Sequence, residues 1–276
     1  MAITEFLRPT NFTDAREMLT ADAGRAPLAG GTFLARHAPA TVTGLVDLSG
    51  LDLRYVTEEK GTIRIGAMTP IIDLRDCAAL GPLAREAANI STEPLRAMIT
   101  VGGNVMLPLR WSDLPLLLCV CDASFVVRGA RARKLNADSF FSAHPRTHMK
   151  PGDILKEVCL SLPGGMKISR KKCVRAHDDI PALHVACALR PVRGMMRDVR
   201  IAYVCQRPLP VRLPSVESLL EGTTPTHALI ADAGRAARDE AGKLSDMRYS
   251  HEYLSEMIEV YTRRVVSDAA GVEEGR

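Results

Sequence analysis

The stretch Ile99-Thr100-Val101-Gly102-Gly103-Asn104-Val105 places two adjacent glycines between an apolar lead-in and a small polar side chain. Because glycine has no Cβ and adopts positive φ without strain, such a turn lets backbone N–H groups approach a ligand closely. A run of outward-facing N–H groups binds anions such as phosphate. A similar turn, Leu28-Ala29-Gly30-Gly31-Thr32, occurs earlier in the chain. Together the two turns predict a clamp for one diphosphate, while an ordinary tight turn is the alternative for each one alone.

The composition is that of a folded globular protein. With 276 residues the chain can form one large or two modest domains, and 46% hydrophobic and 25% charged residues are ordinary for this class. The formal charge of +4 is small and the basic residues are dispersed, so no nucleic-acid interface is indicated. No apolar run reaches the roughly 18–20 residues of a membrane span, and the N-terminus lacks the pattern of a secretory signal.

The cysteines indicate a reducing compartment. The chain has seven, scattered and mostly beside apolar residues, and their odd number does not suit a disulfide framework. None belongs to a C-x-x-C pair, so we expect no iron–sulfur cluster or structural zinc in this chain. These observations predict a cytoplasmic protein.

The order of helix and strand signals predicts an α+β protein. Pro163-Gly164-Gly165 is the strongest boundary signal, and the helical stretch at 250–269 beyond it carries a continuous apolar face. Upstream, the apolar run at 114–121 predicts a buried helix, and a helix is expected to end before the glycine turn at 100–104. The expected domains are 1–165, with parts at about 1–53 and 54–165, and 166–276.

No established catalytic or nucleotide-binding motif accompanies the glycine turns. Neither turn has the spacing GxGxxG or GxxxxGK[ST], which excludes a Rossmann or P-loop site. HExxH and GxSxG are also absent, and the seven histidines do not cluster. Residue patterns alone therefore stop at an α+β protein that binds a phosphate-bearing ligand.

The order of several segments resembles one known family, the FAD-binding subunits of molybdenum hydroxylases such as bacterial xanthine dehydrogenase and carbon monoxide dehydrogenase. The segments are Leu28-Ala29-Gly30-Gly31-Thr32, Val46-Asp47-Leu48-Ser49, Ile63-Arg64-Ile65-Gly66-Ala67, Thr100-Val101-Gly102-Gly103-Asn104, Ser112-Asp113-Leu114-Pro115, Arg175 with Asp179-Ile180, and the closing stretch 244–253. This resemblance covers nearly the whole chain. It implies a two-subdomain FAD-binding fold of the vanillyl-alcohol oxidase (PCMH) type, followed by a C-terminal antiparallel sheet with helices.

The resemblance also implies which residues bind FAD. Its diphosphate would lie on both glycine turns, where hydrogen bonds to charged groups are strong. The implied contacts are Ala29, Gly30, Gly31, Thr32, Phe33, Leu34, Thr100, Val101, Gly102, Gly103, Asn104, Asp113, Leu155 and Lys171.

Four of these positions carry a specific expectation or an open alternative. Asp113 would accept hydrogen bonds from the ribose or adenine side, or serve only as a helix N-cap. Leu155 would pack on the flavin. Lys171 would lie near the isoalloxazine edge, or belong to an exposed basic cluster with its neighbours. Phe33 stands where the family often has Asp. It either packs against the adenine or the flavin ring, or marks a site whose binding of FAD is altered.

The implied function is electron transfer. A small partner subunit with [2Fe–2S] clusters would pass electrons to FAD, and a molybdopterin-binding large subunit would hydroxylate an aldehyde or an N-heterocycle. NAD⁺ or another acceptor would take the electrons. Because the cofactor supplies the chemistry, no catalytic acid or base is expected in this chain. The alternatives are a stand-alone flavin oxidoreductase and a family-derived scaffold that has lost FAD.

Overall fold

The computed structural model describes residues 3–176 and 179–273. The chain forms two compact units whose segments alternate along the sequence. The first unit comprises residues up to 80, 87–107 and 123–161. The second comprises 81–86, 108–122 and the chain from 162 onward.

Strands and helices alternate only in the first part of the described chain, and after residue 47 they occur mostly in groups. The strands are β1 (Glu5–Leu7), β2 (Arg25–Leu28), β3 (Gly44–Asp47), β4 (Val56–Glu59), β5 (Thr62–Gly66), β6 (Ser124–Arg128), β7 (Ala132–Asn136), β8 (Ile154–Leu160), β9 (Lys167–Lys172), β10 (His184–Val192), β11 (Met195–Val204) and β12 (Val211–Arg212). The helices are α1 (Phe12–Ala21), α2 (Leu34–His37), α3 (Ile72–Arg75), α4 (Pro82–Ala88), α5 (Glu93–Met98), α6 (Val101–Met106), α7 (Asp113–Val120), α8 (Ala137–Phe141), α9 (Pro214–Leu220), α10 (His227–Ala241) and α11 (His251–Ala270).

The first unit contains two sheets. Strands β1, β3 and β2 form a parallel sheet in that order, and Ala15 of α1 shares a small core with Val46 of β3. The other sheet is antiparallel, in the order β4-β5-β8-β6-β7. The first glycine turn directly follows the parallel strand β2, and the second lies where α5 gives way to α6. The two turns thus come from different parts of the sequence, one after a strand and the other between two helices.

The second unit is built on the antiparallel sheet β12-β11-β10-β9. Its core joins apolar side chains of this sheet with those of α9, α10 and α11. Ser250 is the N-cap of helix α11, and its hydroxyl accepts from the N–H of Tyr253 at 3.2 Å. It ends at Gly271, which has a φ of +72° and occupies the left-handed region that favours glycine. The α+β class and the C-terminal antiparallel sheet with helices are confirmed.

Helix α7 confirms one local prediction and corrects another. The apolar run forms this buried helix as predicted, with all eight of its residues buried. The alternative role of Asp113 as its N-cap is wrong, because Ser112 is the N-cap and Asp113 is the first helical residue. Among the helices in the described ranges, none has the length and apolar character needed to cross a membrane.

Candidate functional site

The two glycine turns lie in contact in the first unit. A methyl group placed on Gly30 would lie 1.8 Å from the carbonyl oxygen of Met98 and 3.4 Å from the nitrogen of Thr100. One placed on Gly103 would lie 3.7 Å from the Cβ of Ala29. Only glycine allows this approach at Gly30, because any side chain would overlap the carbonyl of Met98, which directly precedes the second turn. The two turns are therefore neighbours in space, as a shared clamp requires, and the binding of a diphosphate between them stays a prediction.

The first turn has free backbone donors. Within the described residues, none of the N–H groups from Gly30 to Phe33 donates to a protein acceptor. Gly31 has a φ of +71°, and its carbonyl accepts from the N–H of Ala35 at 2.9 Å, which starts the short helix α2. The ring of Phe33 stacks on that of His37, with ring centroids 5.0 Å apart. Successive unpaired N–H groups of this kind form an anion-binding concavity.

The second turn differs from the sequence expectation, because its backbone N–H groups are not free. Its residues 101–104 form the first turn of α6, and each of these four N–H groups already has an acceptor. The pairs are Val101 N with Thr69 O at 2.9 Å, Gly102 N with Ala67 O at 2.8 Å, Gly103 N with Thr100 Oγ1 at 3.1 Å and Asn104 N with Thr100 O at 3.0 Å. The glycines here permit close packing: a methyl group on Gly102 would lie 2.7 Å from Ala67 O.

Two further residues of this unit, Asn104 and Leu155, were predicted to contact FAD, and those contacts stay predictions. Asn104 is half-buried, and its Oδ1 is enclosed without a hydrogen-bond partner among the described residues. A buried polar atom of this kind is rare in native proteins and calls for a ligand or an ordered water. Leu155 is 4% exposed on β8, the strand against which α6 packs.

Asp113 belongs to the second unit, where it lies in a buried charge cluster. His184 Nδ1 is 3.0 Å from Asp113 Oδ1, while Lys172 Nζ and Arg170 Nη1 lie 2.6 and 2.5 Å from Oδ2. Burial alone would raise the pKa of the Asp113 carboxyl, but the hydrogen bond from His184 and the charges of Arg170 and Lys172 hold that pKa well below its usual value. The carboxylate is therefore ionised and largely occupied by protein donors. Its role as a FAD contact stays a prediction.

Lys171 also belongs to the second unit and lies apart from that cluster. Side chains alternate along β9, so Lys171 faces away from Arg170 and Lys172, and its Nζ is 2.7 Å from Asp268 Oδ2. The alternative of an exposed basic cluster is wrong, because the side chain of Arg170 is only 4% exposed. A flavin contact for Lys171 stays a prediction.

The protein partners of Asp113 could not be predicted from the sequence. His184 is fully buried, and its Nε2 also lies 2.7 Å from the carbonyl oxygen of Arg110. Asp113 and His184 are 71 positions apart, so no local pattern could have paired them. Among the described residues, no group of His, Cys, Asp or Glu side chains is arranged to hold a metal ion.

The fold and both sequence halves match known proteins. Residues 2–163 match the model of the FAD binding domain in molybdopterin dehydrogenase, and residues 168–269 match that of the CO dehydrogenase flavoprotein C-terminal domain. The chain is 26% identical to the glyceraldehyde dehydrogenase medium chain of Sulfolobus acidocaldarius, over 96% of this chain and 98% of that one. It is 23% identical to the xanthine dehydrogenase FAD-binding subunit of Escherichia coli O157:H7, over 98% of this chain and 97% of that one.

The solved structures agree with these relatives. A chain of carbon monoxide dehydrogenase from Hydrogenophaga pseudoflava superposes with a TM-score of 0.88 and 26% identity, covering 97% of both chains. The match extends over the two-sheet unit with its paired glycine turns and over the C-terminal sheet with its helices. The chain therefore belongs to the FAD-binding subunits of the molybdenum hydroxylase family, a group of oxidoreductases, and its cofactor is FAD.

Proposed function

We propose that this chain holds FAD on the paired glycine turns and passes electrons through it from [2Fe–2S] clusters of a partner subunit to an acceptor. The observation that carries the proposal is the contact between the turns, where the backbone at Gly30 touches that of Met98. Such contact makes one continuous binding surface from two distant stretches of sequence. A dinucleotide with a central diphosphate is a ligand that such a surface fits.

The groups at the turns suit that ligand. The unpaired N–H groups from Gly30 to Phe33 can donate to diphosphate oxygens, and hydrogen bonds to a charged acceptor are roughly twice as strong as neutral ones. The hydroxyl of Thr32 lies in the same turn. The enclosed Oδ1 of Asn104 can accept from a ribityl hydroxyl, which would remove its unmet hydrogen bond.

The two turns then have different tasks. The first turn supplies free N–H donors. The second turn supplies a fixed packing surface, because its N–H groups from 101 to 104 are already bonded to Thr69, Ala67 and Thr100. Leu155 lies on β8, the strand that α6 packs against; the residue is 4% exposed, so it supports α6 from below and only its edge is left for the flavin. When bound, FAD exchanges electrons between one-electron and two-electron carriers, and this chain binds it, orients it and excludes water.

The proposed partners follow from the relatives. Several of them are medium chains or FAD subunits of dehydrogenases, so we infer a large molybdopterin-binding subunit and a small [2Fe–2S] subunit for this chain too. NAD⁺ is one acceptor for the electrons. The seven cysteines are all free and six are buried, which supports work in the cytoplasm. The large subunit would set the substrate, an aldehyde or an N-heterocycle.

The proposal is tested first by FAD binding to this chain and then by reduction of the bound flavin in the assembled complex. Titration of the full chain with FAD should show one binding site. The chain isolated with its partner subunits should show a flavin absorption spectrum, and this should bleach when the substrate that the large subunit hydroxylates is added. Reduction of the lone chain by NADH would instead support a stand-alone oxidoreductase. If no binding is detected up to about 1 mM FAD, the affinity is too weak for a resident cofactor. That result would refute the proposal and favour a family-derived scaffold that has lost FAD.

A further inference from the structure

His148 presents a second enclosed polar atom in the first unit. The residue ends the short 3₁₀ turn Pro145–His148 and is half-buried as a whole. Its Nε2 is enclosed, however, and has no hydrogen-bond partner within the described part of the chain. Leaving a buried donor or acceptor unsatisfied costs about 1–3 kcal/mol, so such an atom needs an explanation.

The turn that carries His148 lies beside the glycine site. It packs against α6, the helix that starts at the second glycine turn and carries Asn104. Asn104 Oδ1 and His148 Nε2 are therefore two enclosed, unpartnered atoms on two elements in contact. One polar ligand lying along α6 would satisfy both atoms.

The surroundings hold His148 in place without a ligand. Its ring lies nearly parallel to that of the fully buried Phe140, with centroids 6.4 Å apart and an interplanar angle of 28°. Arg133 Nη1 donates to the carbonyl of His148 at 3.0 Å, and the same guanidinium pairs with Asp153. The imidazole is thus fixed before binding, which lowers the entropy cost of a contact.

We propose that His148 is a further FAD-binding residue, whose Nε2 makes a hydrogen bond to the ribityl–diphosphate part of the cofactor. This inference rests on the proposed function. An imidazole Nε2 can donate to a diphosphate oxygen or accept from a ribityl hydroxyl, depending on its tautomer. The ribityl–diphosphate part is favoured over the isoalloxazine ring because His148 borders the helix of the glycine turn.

The experiment compares two substitutions at His148 in the full chain. His148→Leu removes the ring nitrogens, whereas His148→Gln keeps a side-chain amide in reach of the Nε2 position. We expect His148→Leu to weaken FAD binding about tenfold in an equilibrium titration, which corresponds to about 1.4 kcal/mol. His148→Gln should recover most of the affinity. The Tm of the FAD-free chain should not fall in His148→Leu, because the substitution removes an unsatisfied polar atom.

His144→Leu is the matched control. His144 starts the same turn, and its Nδ1 accepts from the N–H of Arg146 at 3.3 Å, so its ring already has a protein partner. This variant should bind FAD within twofold of the wild type. In ¹⁵N-labelled protein, addition of FAD should shift the Nε2 resonance of His148 and leave that of His144 unchanged.

Two results would overturn the inference while leaving the proposed function intact. One is FAD affinity within twofold of the wild type in His148→Leu, which would assign the enclosed Nε2 to a bound water. The other is an equal loss in His148→Leu and His148→Gln together with a lower Tm, which would show a structural role. A wild-type chain that binds no FAD would refute the proposed function, and this inference with it.

Discussion

The contact between the glycine turns makes Gly30→Ala the most informative substitution. The added methyl group would lie 1.8 Å from Met98 O and 2.9 Å from the Met98 carbonyl carbon, both of which are backbone atoms. Backbone cannot rotate away as a side-chain tip can, so one turn has to move by about 1 Å. Overpacking of this kind costs roughly 1–3 kcal/mol.

That displacement should appear mainly in cofactor binding. The N–H groups from Gly30 to Phe33 would be displaced relative to α6. Displaced donors make longer, weaker hydrogen bonds to the diphosphate, so the affinity for FAD falls. We expect the Kd for FAD to rise about 10- to 100-fold, which corresponds to about 1.4–2.7 kcal/mol. The assay is an equilibrium titration followed by flavin fluorescence, with the Tm of the FAD-free chain measured alongside.

Gly164→Ala is the control for the loss of glycine itself. No atom lies within 4 Å of a methyl group at Gly164, and its φ is outside the left-handed region. The control should match the wild type in both measurements. FAD affinity in Gly30→Ala within twofold of the wild type, with an unchanged Tm, would refute the claim that contact between the turns builds the site.

The other predictions concern Asn104 and Asp113. Asn104→Ala should weaken FAD binding about tenfold without lowering the Tm of the FAD-free chain, because Oδ1 has no protein partner to lose within the described residues; a titration and a melting curve check this. Asp113→Asn should lower the free energy of unfolding by about 3 kcal/mol in urea, because the buried Arg170 then keeps only Glu86 as a counter-charge and the half-buried Lys172 loses its carboxylate partner. Because the folded-state pKa of Asp113 is depressed, its contribution to stability is complete above the unfolded-state pKa of about 3.9 and is lost as pH falls below it. Urea denaturation below pH 4 should therefore show a weaker pH dependence in Asp113→Asn than in the wild type.

Much of the fold could be predicted from local sequence signals. The apolar run before Cys121 predicted the buried helix α7, and the apolar face at 250–269 predicted the closing helix α11. These signals work because a helix and its apolar face depend on residues only a few positions apart. The doubled glycines also led to the hypothesis that both turns face one diphosphate, because glycine lets a backbone approach a ligand closely. The structure places the two turns side by side, and the diphosphate stays a prediction.

The sequence determined which residues could form the site: two glycine turns, their hydroxyl and amide neighbours, and the order of segments that marks the family. Only the tertiary structure decided which of their groups remain free. Ala67 and Thr69 come from a loop that precedes the second turn by about thirty residues, and they occupy its N–H groups. The first turn has no such neighbour within the described residues and keeps its donors. Hydrogen-bond partners distant in sequence are set by packing, which no local pattern records.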